Sequence, residues 1–503
     1  MTSPASDFAD IQGLLWSGYG PLTEACYALL RVTDAAAART WLGSMAASVT
    51  TIDRLRGQRT NRAFQIALTA AGMRALGVAD SVISGFSAEF ISGMTGEEGR
   101  SRRLGDVGSS APSQWRWGGA REPHILLMLF ADADLDTWRR ELEAGLGGLD
   151  VLDRLPTTNM HGVEPFGFTD GVSQPRIDWF GDRQPDTTAD LDYGNLIAPG
   201  EFMLGYQNEY GLYTDRPLLD PNEPGAAMLP IAQDDPMRHD LGRNGSYLVM
   251  RELSQDVRRF WRFIASRAAD DNQRIALAEA MVGRLMSGDA LAPISMQAIR
   301  GVGPAADDIA RNQFTYDADA DALRCPFGAH VRRANPRTGD MPGGRRGWIA
   351  RLIAMLGFDH QDLSQDLIAS SRFHRIVRRG REFGEQMDWR HALQPDAPDP
   401  RSGLQFICLN ANISRQFEFI QNAWLISATF NGMSGEADPL LGNRAELPSG
   451  HPTDGFAIAQ PNGVSSRIDG LPQFITVRGG AYFFLPGLRA LRFIAGYTNG
   501  HYE

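Results

Sequence analysis

The sequence predicts an α+β protein built from two halves of similar style, and three observations carry that prediction. Size comes first: 503 residues at 43% apolar content exceed one comfortable hydrophobic core and suit two packed domains. Next, short strand-like runs alternate with helix-like stretches toward the amino terminus, and the same style returns later in the chain. No fixed-period repeat accompanies it, so what repeats is architecture.

In chain order, Cys26 to Val32 (CYALLRV) reads as a strand, and Asp34 stands where its carboxylate can cap the helix AAAARTWL. Ala63 to Thr69 reads as a second strand with a helix over Ala70 to Leu76, and His124 to Ala131 as a third with a helix over Leu135 to Leu146. The later part opens with a strand at Ser246 to Leu253 and a helix near Asp256, where Val257, Phe260, Trp261 and Ile264 fall at helical spacing. A strand at Leu404 to Leu409, a helix from about Ile413 to Trp424, a strand at Phe474 to Phe484 and a closing helix after Pro486 complete it. Between the halves, Thr187 to Pro236 is rich in Asp, Pro, Gly and Asn, which marks a junction.

Composition excludes several partners. A net charge of -11, from 49 Lys plus Arg against 60 Asp plus Glu, repels nucleic acid and anionic lipid alike. The start MTSPASDFADIQG has no signal-peptide pattern, and the run ILLMLFA at Ile125 to Ala131 falls far short of the roughly 20 residues that span a bilayer. Three scattered cysteines, Cys26, Cys325 and Cys408, fit a reducing compartment, so the expected location is the cytoplasm. The common zinc, nucleophile-elbow and nucleotide-binding motifs do not occur, nor does C-x-x-C-H, so any haem would be held without thioether bonds.

Two phrases carry chemistry. Gly167 to Gly171 reads GFTDG and continues VSQP; alone, Asp170-Gly171 is a turn dipeptide. Arg324 to Arg337 reads RCPFGAHVRRANPR and sets one histidine among cationic side chains. Together with PGEFMLGYQNEYG at Pro199 to Gly211, HRIVRRG at His374 to Gly380 and ITVRGGAYFFLPGLRAL near the carboxyl terminus, these phrases resemble the dye-decolorising peroxidases. The similarity spans nearly the whole chain and points to the longer, bacterial-type members without an export signal.

The resemblance implies two ferredoxin-like domains, antiparallel sheets with helices of the dimeric α+β barrel type. Residues 1–190 would include the GFTDG loop, and residues 191–503 would bind haem b non-covalently. By resemblance, His330 is the axial iron ligand, Asp170 the distal acid-base residue and Arg378 its charge-stabilising partner. Asp438 is the candidate carboxylate behind His330, at least one of Arg332 and Arg337 would reach the haem propionates, and Leu404 and Phe406 would wall the distal pocket. The expected partners are hydrogen peroxide and small aromatic reductants, and bulky reductants kept out of a narrow pocket would deliver electrons at the haem edge or through oxidisable aromatic side chains, for which Trp424 is a candidate relay. Gly380 stands where some branches carry an assisting asparagine, and an insertion from Arg345 to Ser370 bears on substrate access.

These residue types suit peroxide cleavage. An ionised aspartate can take a proton from peroxide and return it to the departing oxygen, while a permanent guanidinium stabilises the charge that develops. Because that aspartate is ionised above mild acidity while many dyes are oxidised more easily in acid, an acidic optimum for dye oxidation is expected. The rival readings are a non-enzymatic haem carrier or sensor on the same fold and, third, a porphyrin-processing enzyme.

Overall fold

The computed structural model describes residues 7–57, 59–182, 195–291, 311–312, 314–337, 370–447, 449–498 and 501–502. Four strands form the first half: β1 (Glu24–Val32), β2 (Arg62–Leu68), β3 (Ile125–Ala131) and β4 (Leu149–Pro156). The second half contributes β5 (Ser246–Gln255), β6 (Val377–Arg378), β7 (Arg381–Phe383), β8 (Ser402–Asn410) and β9 (Ile475–Leu485).

These strands make one nine-stranded sheet in the order β6-β8-β5-β9-β2-β3-β1-β4, with β7 also on β8. Each half follows the ferredoxin-like order, its fourth strand beside its first, then its third and second: β4-β1-β3-β2 and β9-β5-β8-β6. The halves join edge to edge where Phe484 of β9 faces Leu68 of β2. Among the described residues no strand pair closes the sheet, so the barrel form named in the expectation does not arise. The joining edges are consumed by each other, and β4 and β6 are left as the open ends.

Both faces of the sheet are covered, which explains why its central strands read as continuous apolar runs. All seven residues of β3 are buried. Its odd-numbered residues, Ile125 to Ala131, pack into one core with the helix Ala35–Met45, while Leu126, Met128 and Phe130 enter the other. Asp34 caps that helix by accepting the Ala37 amide at 3.0 Å. The carboxyl-terminal helix Leu488–Gly496 packs back against it, so the two halves share a core.

Within the described part of the Thr187 to Pro236 stretch, which is mostly turns and short elements, Ile197, Phe202 and Met203 are apolar and buried among its Gly and Pro residues. Strand β4 (LDVLDRLP) went unnoticed because it is an edge strand with charged residues at Asp150, Asp153 and Arg154, which dilute the apolar alternation. The Arg345 to Ser370 insertion lies outside the described residues apart from its last residue.

Candidate active site

The second half of the sheet forms the floor of a cavity of about 270 Å³. Side chains two residues apart on one strand point the same way, so Arg251, Leu253 and Gln255 of β5 and Leu404 and Phe406 of β8 all line it. His330, Phe417, Trp424 and Leu440 contribute further wall. Asp170 and Arg378 also line it, so the structure brings six of the sequence candidates, His330, Asp170, Arg378, Leu404, Phe406 and Trp424, to one apolar space.

His330 opens the short helix His330–Ala334. Its Nδ1 lies 3.0 Å from Oδ2 of Asp438, whose side chain is fully buried. The other carboxylate oxygen of Asp438 accepts the Leu440 and Leu441 amides at 2.9 and 2.8 Å, so this aspartate both makes the turn and holds the imidazole. Burial pushes Asp438 up, but His330, Arg333 and the Leu441 amide outweigh it and hold the carboxyl below its ordinary value. For His330, burial pulls the imidazole down and Asp438 more than restores it, a net rise.

Arg333, missed by the sequence reading although it lies within HVRRA, ties this arrangement together. It is fully buried and donates to the carbonyls of Trp424 (2.7 Å), Glu436 (2.9 Å) and Leu425 (3.3 Å) and to that of Ser427. Those are end carbonyls of the π-helical segment Ile420–Ile426 and the strand-like entry to Asp438, groups that need donors from outside the helix. The amide of Asp438 in turn donates to the Leu425 carbonyl at 2.8 Å.

On another wall, Arg378 Nη1 donates to Asp170 Oδ1 at 2.9 Å, and both side chains are 34% exposed because they face the cavity. Arg378 is fixed further through the Ser173 carbonyl and through its amide, which donates to Gln174 Oε1 at 3.0 Å. Burial pushes Asp170 up, yet Arg378 and the Gly171 amide pull it further down, so the carboxyl sits below its ordinary value. The loop before it folds around Glu164, whose carboxylate accepts the amides of Phe166 (3.1 Å) and Phe168 (3.0 Å) and the Gln255 side chain (2.7 Å). Gly167 adopts φ +102°, a conformation that requires glycine.

Arg332 and Arg337 are not brought to the cavity. Arg332 is buried against Asp319 and donates to the Cys325 carbonyl at 2.7 Å, while Arg337 donates to the carbonyls of Asn312 and Phe314 and to Ser173 Oγ. Arginines two and seven positions along from His330 cannot be ranked by sequence, since packing in and just after the short helix turns their side chains into the surrounding shell. A further cation in the cavity wall is Arg375, in HRIVRRG, which donates to Asn195 Oδ1 at 2.6 Å and which burial pushes down to about 10. Trp424 is buried rather than exposed and packs edge-on to His374 at 5.3 Å.

The chain is 29% identical over 497 residues to a multifunctional dye peroxidase of Amycolatopsis sp., covering 91% of this chain and 90% of that protein. It is 28% identical to a dye-decolorizing peroxidase of Mycetinis scorodonius over 98% of this chain and 88% of that one. Over nearly its whole length the chain is similar to dye-decolorising peroxidases. It is accordingly a peroxidase, which sets aside the non-enzymatic carrier reading. A crystal structure of such a peroxidase from Auricularia auricula-judae shares the fold with a TM-score of 0.71 at 24% identity, over 97% of this chain and 100% of that one. No family model matches the chain.

Proposed function

We propose that this peroxidase binds haem b non-covalently through His330 and oxidises dyes and phenolic compounds at the expense of hydrogen peroxide. The observation that carries this reading is that His330, held from behind by Asp438, and the Asp170–Arg378 pair face the same apolar cavity. The donor chemistry fits the group. With Nδ1 engaged by Asp438, Nε2 is the ring nitrogen left for iron, and the carboxylate makes the ring a stronger donor. Among the described residues no three His, Cys, Asp or Glu side chains converge as a metal-ion site, so iron at His330 would draw its remaining ligands from a macrocycle.

When bound, haem supplies the iron that takes up peroxide and holds the oxidising equivalents passed to reductants. The residues of the chain then have separable tasks. Asp170, ionised because Arg378 holds its carboxyl low, accepts a proton from peroxide and returns it to the departing oxygen. Arg378 stabilises negative charge on that oxygen. Leu404 and Phe406 keep the space above narrow and exclude bulky molecules. Arg375, in place of Arg332 and Arg337, supplies a cation toward the carboxylate substituents of the porphyrin.

Bulky reductants excluded from this space would pass electrons through Trp424, whose burial makes it an interior step. Phenols come into the reading because one neighbouring structure is a dye-decolorizing peroxidase in complex with 2,6-dimethoxyphenol. The family relation leaves the compartment open, and we infer the cytoplasm from the cysteine usage. No helix among the described residues is long and apolar enough to cross a membrane. The domain boundary near residue 190 is part of the same proposal.

The test is steady-state oxidation of 2,6-dimethoxyphenol by the purified chain with and without added haem. Turnover that requires both haem and peroxide is expected. Haem-independent turnover, or haem uptake without turnover of any aromatic reductant, would overturn the reading.

A further inference from the structure

The carboxylate of Glu164 lies in the cavity wall and accepts two backbone amides of the segment leading to Asp170. Oε1 accepts the Phe168 amide and Oε2 the Phe166 amide, while the amide of Glu164 donates to the Phe168 carbonyl at 2.8 Å. Around this centre the chain closes on itself: the Gly167 amide donates to the Glu164 carbonyl at 2.8 Å and the Asp170 amide to the Gly162 carbonyl at 2.9 Å. Two ties then fix the closed loop to the scaffold. Gln255 of β5 donates to Glu164 at 2.7 Å, and Thr169 donates to the Met286 carbonyl through its amide at 3.1 Å and its hydroxyl at 2.9 Å.

We propose that Glu164 is a positioning residue for peroxide cleavage, acting through Asp170 by holding the 162–170 loop against β5. The inference rests on the reading of Asp170 as the proton-transfer group. Its physical basis is that Phe166 and Phe168 are buried, so their amides have no water to turn to if the carboxylate is removed. Arg378 can meet Asp170 at one oxygen only if the loop presents that oxygen at a fixed place, and small displacements of a reacting group are expensive in rate.

The experiment is a mutant cycle on the haem-loaded protein, read by the second-order rate constant of the absorbance change on mixing with hydrogen peroxide. Glu164→Ala should lower that constant by at least about 10-fold, whereas Glu164→Gln, which keeps one of the two acceptor oxygens, should recover part of the loss. In an Asp170→Asn background, Glu164→Ala should cause no further fall, because the group it positions is already gone. Hydrogen exchange of the loaded protein supplies a readout apart from rate: amides of 164–171 should exchange faster in Glu164→Ala, with β1 to β4 unchanged.

A rate in Glu164→Ala equal to the wild type, or an equal loss in both backgrounds, would overturn the inference. If Glu164→Ala does not load haem, Gln255→Leu removes the tie from the strand side and should lower the rate by about threefold, again only when Asp170 is present; no change there overturns it as well. Asp170→Asn alone separates the two levels. An undiminished rate in that variant defeats the role of Asp170 and the inference with it, while a fall there with no response to Glu164→Ala defeats the inference alone.

Discussion

Asp170 in the cavity wall and Asp438 behind His330 are each paired with a nitrogen base or cation and each kept below the ordinary aspartate value, yet they differ in what can reach them. Asp438 is completely enclosed and spends one oxygen on backbone amides and the other on His330. Asp170 keeps 34% of its side chain open to the cavity while touching Arg378. The same electrostatic device therefore serves two ends. An enclosed carboxylate can only tune the ring it touches, whereas one that faces a guest can exchange a proton with it.

The largest effect that tests this contrast is Asp170→Asn, which should lower the rate constant with peroxide by about 10²- to 10⁴-fold while haem binding persists. Stopped-flow absorption and a haem titration measure the two quantities separately. Arg378→Ala should cost about 10²- to 10³-fold in the same rate constant. Asp438→Asn should act on the other quantity, weakening haem affinity by about 10- to 100-fold in an absorbance titration. If Asp438→Asn slowed peroxide cleavage more than Asp170→Asn, the contrast between tuning and exchanging carboxylates would be broken.

The pH dependence sharpens the same point. Because Asp170 sits below the ordinary aspartate value of about 3.9, it stays ionised as the pH falls through that region. The rate constant with peroxide should thus hold level through pH 4 and decline only below it, provided the protein remains folded. The contribution of Asp170 to stability has the same sign: present above the unfolded carboxyl value and lost as the pH falls through the folded one. The smallest expected effect is Arg332→Lys. It should lower thermal stability through the Asp319 contact and leave haem affinity unchanged, since Arg332 does not line the cavity.

What the sequence made legible follows from where the signal is local. The strands Glu24–Val32, Ser246–Gln255 and Ile475–Leu485 are largely apolar runs buried on both faces, so they announce themselves, and Asp34 caps its helix in the predicted way. The candidate site was legible at His330, Asp170 and Arg378 because each lies in a phrase shared with the family. Side-chain direction was not legible. Arg332, Arg333 and Arg337 look alike in the phrase HVRRANPR, yet each is committed to different carbonyls by the packing around a five-residue helix. Glu164 escaped notice for a related reason, since its partners are backbone amides that any sequence supplies.

The central claim is that a His330-bound haem meets peroxide under an ionised Asp170, and mixing the haem-loaded chain with one equivalent of hydrogen peroxide in a stopped-flow absorption instrument tests it most directly. The account predicts a fast change in the haem spectrum in the wild type, slowed by orders of magnitude in Asp170→Asn and absent in His330→Ala for want of a normally ligated haem. A wild-type spectrum indifferent to peroxide, or one that changes equally fast in Asp170→Asn, would contradict it.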